Sequence, residues 1–415
     1  MTGKQLQCRA RVRGRGETME EYTFAFPIWA EFGTGASRKV GELAATQGWQ
    51  KALLVTDPGI VEARLTDGVA DALGTAGIDH AVYDGVRPNP TVEMIEEAVT
   101  AIDEAGADFV VAVGGGSVMD VGKTASMLAT NPGTVADYEV VTNEDVMAEP
   151  VENHTLPLVT VPTTAGTGSE VDFWAVITDT EREFKMALGQ PPLRPDGPYL
   201  GASITLVDPE LTASLPPRQT AATGFDALSH ALENYVSAVS PPLAEPMTLH
   251  VMELIAEYLP EAYHEGTMEA REHVMFAAHL AGMAENLAGF GAIHSLAEVT
   301  GAMYPEIPHG EAIAIYTPAV MEFNREAIPG KYRDVAAALG RDVDGLSEEG
   351  ATKQAVVAVE ELMDELDLPS RLRDVGVAEE DLPEIAEKSM ETSEIGDNPR
   401  EADAEDLLEI ARSSY

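Results

Sequence analysis

Short apolar runs alternate with amphipathic stretches through the first half of the chain. Four short runs, in which valine is joined by leucine, alanine or an aromatic residue, are bounded by turn or polar residues. They are typical of buried strands and cover 51–57, 79–84, 108–113 and 156–162. Between them, apolar residues recur at helical spacing over 37–47, 62–74 and 91–105. Strands that alternate with helices predict a parallel sheet covered on both faces.

The pattern changes after residue 207. Helical stretches follow one another, without a run of comparable strand quality, over 217–240, 246–263, 268–287, 293–303, 311–324, 331–339, 347–366, 379–388 and 405–413. We therefore predict an α/β domain over 21–207 and an all-α domain over 208–415. Residues 1–20, where arginines cluster with glycine and few apolar side chains, are predicted to form a disordered or atypical N-terminal tail.

Acidic residues outnumber basic residues along the whole chain. The 415 residues include 71 Asp and Glu against 26 Lys and Arg, for a net charge of −45. The excess is spread over the body of the chain, for example at 96–97, 348–349 and 360–365, which favours a solvated acidic shell over an interaction tail. Such a shell repels nucleic-acid phosphates, and salt screens its self-repulsion. We therefore expect no nucleic-acid partner and a halophilic host.

The cysteine and hydropathy patterns bear on the compartment. Cys8 is the single cysteine, so the chain can form no internal disulfide, and a cytoplasmic location is expected. No apolar run reaches the ~18 residues of a membrane-spanning helix, and residues 1–20 contain no apolar core of the kind found in signal peptides. We therefore predict no membrane association.

A glycine-rich turn joins a predicted strand to a predicted helix. Gly114, Gly115, Gly116 and Ser117 directly follow the run at 108–113. Glycines let a backbone approach a phosphate closely, and a helix N-terminus offers N–H groups to the anion. The segment is neither a G-x-G-x-x-G fingerprint nor a P-loop, and a simple tight turn is the alternative interpretation.

Polar residues end two other predicted strands. Thr163 and Thr164 follow the run at 156–162, where their hydroxyls could bond a phosphate or ribose or merely pack as β-branched side chains. Asp57 ends the first run. An acid there can bond the adenine ribose and repel a 2′-phosphate, which favours NAD over NADP. The sequence is equally compatible with Asp57 being an ordinary solvated loop residue. Asn89 lies between two prolines, a position that fits either a ligand contact or turn chemistry.

A carboxylate and three imidazoles form the candidate metal site. Asp226 and His230 are four residues apart in a helical stretch, so they share one helix face. His294 and His309 occur in later glycine-containing segments. One carboxylate with three imidazoles suits Fe, Zn, Co or Ni better than Ca or Mg. The alternative is that each histidine is an ordinary core or surface residue.

Taken together, these segments resemble the iron-containing (group III) alcohol dehydrogenase family. The resemblance covers nearly the whole chain from residue 24, and its motifs stand at 32–36, 55–57, 88–90, 114–123, 162–170, 223–230, 307–310 and 398–401. It implies an N-terminal nucleotide-binding α/β domain with a parallel sheet and an all-α C-terminal domain, the dehydroquinate synthase-like fold. Many members are dimers, so the resemblance also implies a homodimer.

The family's functional positions are carried over by this resemblance. It implies that Asp226, His230, His294 and His309 are ligands of Fe²⁺ or Zn²⁺. It implies NAD, with NADP less favoured, and cofactor contacts from Asp57, Asn89, Gly114, Gly115, Gly116, Ser117, Asp120, Thr163, Thr164 and Lys185. The implied activity is NAD- and metal-dependent oxidation of a small alcohol or reduction of an aldehyde. A polyol or lactaldehyde reductase of the same fold, or a catalytically silent metal and nucleotide binder, are the alternatives.

One position departs from the family pattern. Members usually have a second histidine four residues after the first on the helix of His294, but Glu298 stands there in this chain. Its carboxylate faces the same side of the helix as His294. Glu298 is therefore a candidate catalytic residue that relays protons. The other interpretations are that it contacts the metal ligands, that it is an added ligand, or that it signals altered or lost activity.

Overall fold

A computed structural model describes residues 24–141, 146–147 and 150–415; the tail predicted at 1–20, with Cys8, lies outside them. The strands are β1 (Trp29–Phe32), β2 (Lys51–Val55), β3 (Asp79–Tyr83), β4 (Phe109–Gly114), β5 (Val140–Val141), β6 (Val146–Met147), β7 (Leu158–Pro162), β8 (Trp174–Asp179), β9 (Phe184–Gly189) and β10 (Ile204–Val207). The helices of the first half are α1 (Val40–Gln47), α2 (Pro58–Glu62), α3 (Asp67–Thr75), α4 (Val92–Ala105) and α5 (Gly116–Leu128). Those of the second half are α6 (Pro217–Val236), α7 (Ala244–His264), α8 (Met268–Glu285), α9 (Ala292–Met303), α10 (His309–Asn324), α11 (Pro329–Ala338), α12 (Glu348–Glu365), α13 (Leu382–Ser389) and α14 (Ala404–Ser413).

Contacts between residues divide the chain into an α/β unit and a helical unit. The α/β unit spans 25–141 and 147–215, and the helical unit is built on Pro216–Tyr415. The predicted junction at 207–208 coincides with the end of β10, whereas the division by contacts falls after Leu215. Asp208 explains why the following residues stay with the sheet: its carboxylate accepts hydrogen bonds from the Gly35 N–H (3.0 Å) and the Ser37 hydroxyl (2.6 Å).

The α/β unit contains a six-stranded sheet in the order β1-β10-β7-β4-β2-β3, and its paired strands are parallel. Alternate residues of a strand point to opposite faces. Leu53 and Val55 accordingly join one apolar core, while Ala52 and Leu54 join the core on the other face. Both faces are therefore covered, which is why the predicted strands are continuous apolar runs. The parallel α/β prediction is confirmed.

The strand order reverses next to β2. The chain passes from β2 to the edge strand β3 and then returns to place β4 on the other side of β2. At such a switch point the connections leave the carboxyl ends of two adjacent strands in opposite directions, and a crevice opens between them. Asp57 and Gly115 lie within two residues of the carboxyl ends of β2 and β4, so they flank this crevice.

One prediction about local structure was wrong, and one pair of strands was missed. The helix expected over 62–74 is two helices, α2 and α3. Asp57 caps α2 by accepting a hydrogen bond from the Ile60 N–H, Pro58 occupies its first turn, and Arg64 adopts a left-handed φ of 61° where α2 has ended. The antiparallel hairpin of β8 and β9 was not predicted at all.

The helical unit is organised around α6, which packs against α7, α8 and α10. Small residues let the neighbouring helices approach. A Cβ on Gly224 would lie 2.3 Å from the Leu259 side chain of α7, and a Cβ on Gly310 would lie 2.1 Å from the carbonyl oxygen of Ala222. Consequently α6 is buried from Thr220 to Val236 almost without interruption. Among the described residues, no helix combines the length and apolarity needed to cross a bilayer.

Candidate functional site

Four side chains of the helical unit converge at one place. Asp226 and His230 lie one turn apart on α6, with 3.6 Å between the Asp226 Oδ1 and the His230 Nε2. His309, the first residue of α10, brings its Nε2 to 3.6 Å from the same Oδ1. His294, in the first turn of α9, has its ring centroid 4.8 Å from that of His230 and 5.8 Å from that of His309.

The geometry of this cluster fits a metal ion. One ligand atom each from Asp226, His230 and His294 lie within 4.8 Å of one another. Atoms bound about 2.0–2.2 Å from one tetrahedral ion lie roughly 3.4 Å apart, so a small contraction would complete the shell. Asp226, His230 and His294 are buried, whereas the His309 side chain is 28% exposed, so the cluster is reachable from solvent on the His309 side.

Two further carboxylates, which sequence reasoning missed, face the outer nitrogens of the histidine rings. The His294 Nδ1 lies within hydrogen-bond distance of the Glu233 Oε2, at 2.6 Å. The His230 Nδ1 lies 3.3 Å from the Glu285 Oε2. A carboxylate on Nδ1 fixes the ring orientation and leaves Nε2 for a metal. The available sequence signal was an acid at 233 within the apolar stretch of α6, one turn after His230.

Glu233 is buried on α6. Burial raises the pKa of the Glu233 carboxyl to about 7, while hydrogen bonds from the backbone N–H groups of Ile293 and His294 act in the opposite direction. Desolvation penalises the charged form of a buried acid, and donors aimed at the carboxylate stabilise it. The N–H groups at the start of α9 therefore favour the charged form of Glu233.

Phe290 forms an apolar wall beside the imidazoles. Its ring stacks on His294 with centroids 3.9 Å apart and meets His230 edge-on at 4.7 Å. An aromatic ring in this place restricts the imidazole orientations and keeps water from one side of the cluster. Glu298 is also buried, one turn beyond His294 on α9.

The predicted glycine loop joins β4 to α5 in the α/β unit. Gly115 is the N-cap of α5, and the helix start carries no side-chain cap. A Cβ on Gly115 would lie 3.2 Å from Thr164, and one on Gly116 would lie 2.9 Å from Thr167. The glycines thus let the loop after β7 lie against the helix start, where N–H groups have no intrahelical acceptor. This arrangement fits a phosphate group.

Asp57, Thr163 and Thr164 follow β2 and β7, the two strands that flank β4. All of these residues stand at the carboxyl edge of the sheet. Within the part of the chain that the structure describes, the buried Thr163 hydroxyl has no hydrogen-bond partner. A buried hydroxyl without a partner is costly, so a ligand oxygen at this edge would satisfy it. The residues here fit a nucleotide.

The hairpin of β8 and β9 contains Lys185 and is bonded to the segment that contains Asn89. Asn89 has a left-handed φ of 55° between its two prolines. Pro90 accepts a hydrogen bond from the Thr178 N–H at 2.7 Å, and Thr178 on β8 pairs directly with Lys185 on β9. Lys185 is buried.

Asp120 is engaged by protein groups. One oxygen accepts a hydrogen bond from the Ser169 hydroxyl at 2.7 Å, and the other accepts one from the Val176 N–H at 3.1 Å. The fully buried Lys123 ammonium lies 3.6 Å from Asp120 and donates to Asp172 at 2.6 Å. These contacts tie α5 to the loop after β7 and to β8, so Asp120 holds the loops together.

Comparisons with known proteins cover both units. The models of "Iron-containing alcohol dehydrogenase" and "Fe-containing alcohol dehydrogenase family, C-terminal" match 27–200 and 220–415. The chain is 38% identical over 387 residues to a choline dehydrogenase of Bacillus subtilis (strain 168), with 93% of each protein covered. It is 36% identical over 386 residues to a lactaldehyde reductase of Escherichia coli (strain K12), which covers 93% of this chain and 97% of that protein.

A solved structure is similar over the same length. The crystal structure of an archaeal halo-thermophilic alcohol dehydrogenase from a Red Sea brine pool aligns with a TM-score of 0.88 at 32% identity. The alignment covers 96% of this chain and 100% of that one. The similarity therefore extends across both units.

Replacing His294 should abolish metal binding. We expect His294→Ala to lose the bound metal, because the change removes one imidazole and exposes the Glu233 charge to an empty space. Elemental analysis of protein loaded with one equivalent of Zn²⁺ and then desalted provides the measurement. His250→Ala is the matched control, since His250 is half exposed on α7 and paired with Glu253. Full metal occupancy in His294→Ala would show that His294 is not a ligand.

Proposed function

This chain belongs to the iron-containing alcohol dehydrogenase family, and we propose that it interconverts a small alcohol and its aldehyde by hydride transfer with NAD. The family uses NAD and a divalent metal. The observation that carries the proposal is the convergence of one carboxylate and three imidazoles from α6, α9 and α10. We propose Fe²⁺ or Zn²⁺ as the metal, because both accept this donor set.

The chain's own residues prepare the site. When bound, the metal and NAD supply polarisation of the substrate oxygen and a hydride acceptor. Asp226 contributes the one carboxylate beside three imidazoles. Glu233 and Glu285 face the outer nitrogens of His294 and His230 and so aim the inner nitrogens at one point. Phe290 shields the imidazoles from water.

The proposed reaction is tested directly by NADH absorbance. Purified, metal-loaded protein should produce NADH from small alcohols and consume it with aldehydes. A preference for lactaldehyde or polyols would favour the second candidate function, which the similarity to a lactaldehyde reductase supports. A flat response across the panel, with metal and NAD binding both verified, would favour a silent binder, an interpretation motivated by Glu298 in place of the usual histidine.

We propose that Asp57 selects NAD over NADP. Asp57 stands at the switch point of the sheet, where its half-buried carboxylate would repel a 2′-phosphate. Asp57→Gly should therefore raise kcat/KM for NADP relative to NAD by roughly 10-fold, equivalent to ~1.4 kcal/mol. Asp196→Gly removes the same charge from an exposed loop with a left-handed φ of 57°, where glycine is tolerated, and should leave the ratio unchanged. An unaltered ratio in Asp57→Gly would refute the assignment.

We propose that the acidic shell adapts the protein to high salt. A net charge of −45 on 415 residues repels itself, and molar salt shortens the screening length to about 3 Å. The melting temperature should therefore rise from low to molar KCl. Sucrose of equal osmolality is the control, because it stabilises folded proteins without screening charge. Equal melting temperatures in low and molar KCl would contradict the proposal.

We also propose a cytoplasmic homodimer in which a second copy covers β1. β1 is the outer strand of the sheet, and Trp29 on it is 61% exposed. An outer strand offers backbone groups for pairing with another chain. Light scattering in molar KCl should give the mass of two chains. Trp29→Glu should shift the measured mass towards that of a single chain. The mass of a single chain for the unaltered protein would contradict the dimer.

A further inference from the structure

One carboxylate of α6 receives two backbone N–H groups from the start of α9 and also contacts the His294 ring. The Glu233 Oε1 accepts a hydrogen bond from the Ile293 N–H at 2.8 Å. The Glu233 Oε2 accepts from the His294 N–H at 3.3 Å and lies 2.6 Å from the His294 Nδ1. Glu233 and His294 are both buried, so water does not replace these contacts.

The start of α9 relies on distant side chains. Its N-cap, Gly291, provides no side-chain cap. The Ala292 N–H donates to the Asn398 Oδ1 at 3.3 Å, and the next two N–H groups donate to Glu233. A Cβ on Gly291 would lie 2.7 Å from the Asn398 Oδ1 and 3.0 Å from the Glu233 Oε1, so glycine is required for both acceptors to reach the helix. Buried helix ends need such acceptors.

The hydrogen bond also sets the tautomer of His294. An ionised carboxylate can only accept hydrogen bonds, so the proton of a neutral His294 ring lies on Nδ1. The lone pair of Nε2 then points away from Glu233. The His230 ring is a close neighbour, with its centroid 4.8 Å from that of His294. A neutral imidazole binds a metal through the nitrogen that carries no proton.

We propose that Glu233 is a positioning residue that couples the folding of the α9 start to the metal-binding tautomer of His294. The inference rests on the proposed metal centre. Glu233 acts through His294. The same two oxygens serve the backbone and the ring, so no neutral side chain of equal shape can perform both tasks.

Glu233→Gln separates the two tasks. If the amide oxygen faces His294, the amide N–H₂ faces the Ile293 N–H. Two hydrogen-bond donors then oppose each other. If the amide is turned round, its N–H₂ faces the His294 Nδ1 and drives the proton to Nε2, where it blocks metal binding. We expect the affinity for Zn²⁺, measured by competition with a chromophoric chelator, to fall about 10–100-fold.

Asn398→Ala is the matched control. It removes the other acceptor at the start of α9 without touching the His294 ring. For a merely structural role of Glu233, the losses of Zn²⁺ affinity and of melting temperature should stand in the same proportion in both variants. If Glu233 sets the tautomer of His294, the two losses should not be proportional. For each degree by which the melting temperature falls, Glu233→Gln should lose far more Zn²⁺ affinity than Asn398→Ala. Proportional losses would overturn the proposal.

The tautomer itself can be measured without any substitution. ¹⁵N chemical shifts of His294 in the metal-free protein should show the proton on Nδ1, and Glu233→Asp, which retains the carboxylate, should keep it there. A proton on Nε2 in the unaltered protein would overturn the inference even if Glu233→Gln does not fold. If the unaltered protein binds no Zn²⁺, both this inference and the proposed function fail. If the unaltered protein and Glu233→Gln bind Zn²⁺ with equal affinity, only this inference fails.

Discussion

The stability of the helical unit depends on how ionisable side chains are accommodated on the buried helix α6. α6 is enclosed by α7, α8 and α10, yet it carries Asp226, His230 and Glu233 into the interior. A buried ionised group is unfavourable unless hydrogen bonds or opposite charges compensate it. Here the compensation comes from the start of α9 and from the neighbouring imidazoles. A divalent cation would complete it by balancing the carboxylate of Asp226.

The packing of the helices follows from the same constraint. Side chains of α6 can meet those of α9 and α10 only if the backbones approach closely. Glycine makes this possible where α10 crosses Ala222 at Gly310 and where Gly291 admits two acceptors to the start of α9. In the motif around His309, a proposed ligand is therefore followed by a packing residue. In the α/β unit, glycines likewise let the loop after β7 approach α5. The buried Lys123 stabilises that contact by donating a hydrogen bond to Asp172.

Local patterns were sufficient to predict the sheet, the helical second half and the pairing of Asp226 with His230, because strand runs and i, i+4 spacing are visible in sequence. His294 and His309 could be assigned to the same cluster only by the family resemblance. Glu233 and Glu285 escaped notice because their role depends on which helices pack together. The break between α2 and α3 depends on the left-handed backbone at Arg64, which hydrophobic periodicity does not encode. The contacts of Asp120 arise from a loop distant in sequence.

X-ray absorption spectroscopy of the Zn²⁺-loaded protein tests the central claim most directly. The account predicts one ion per chain, bound by nitrogen and oxygen at about 2.0–2.2 Å, with the outer scattering of three imidazoles. A shell of oxygen atoms without imidazole scattering, or the absence of a stoichiometric ion, would contradict it.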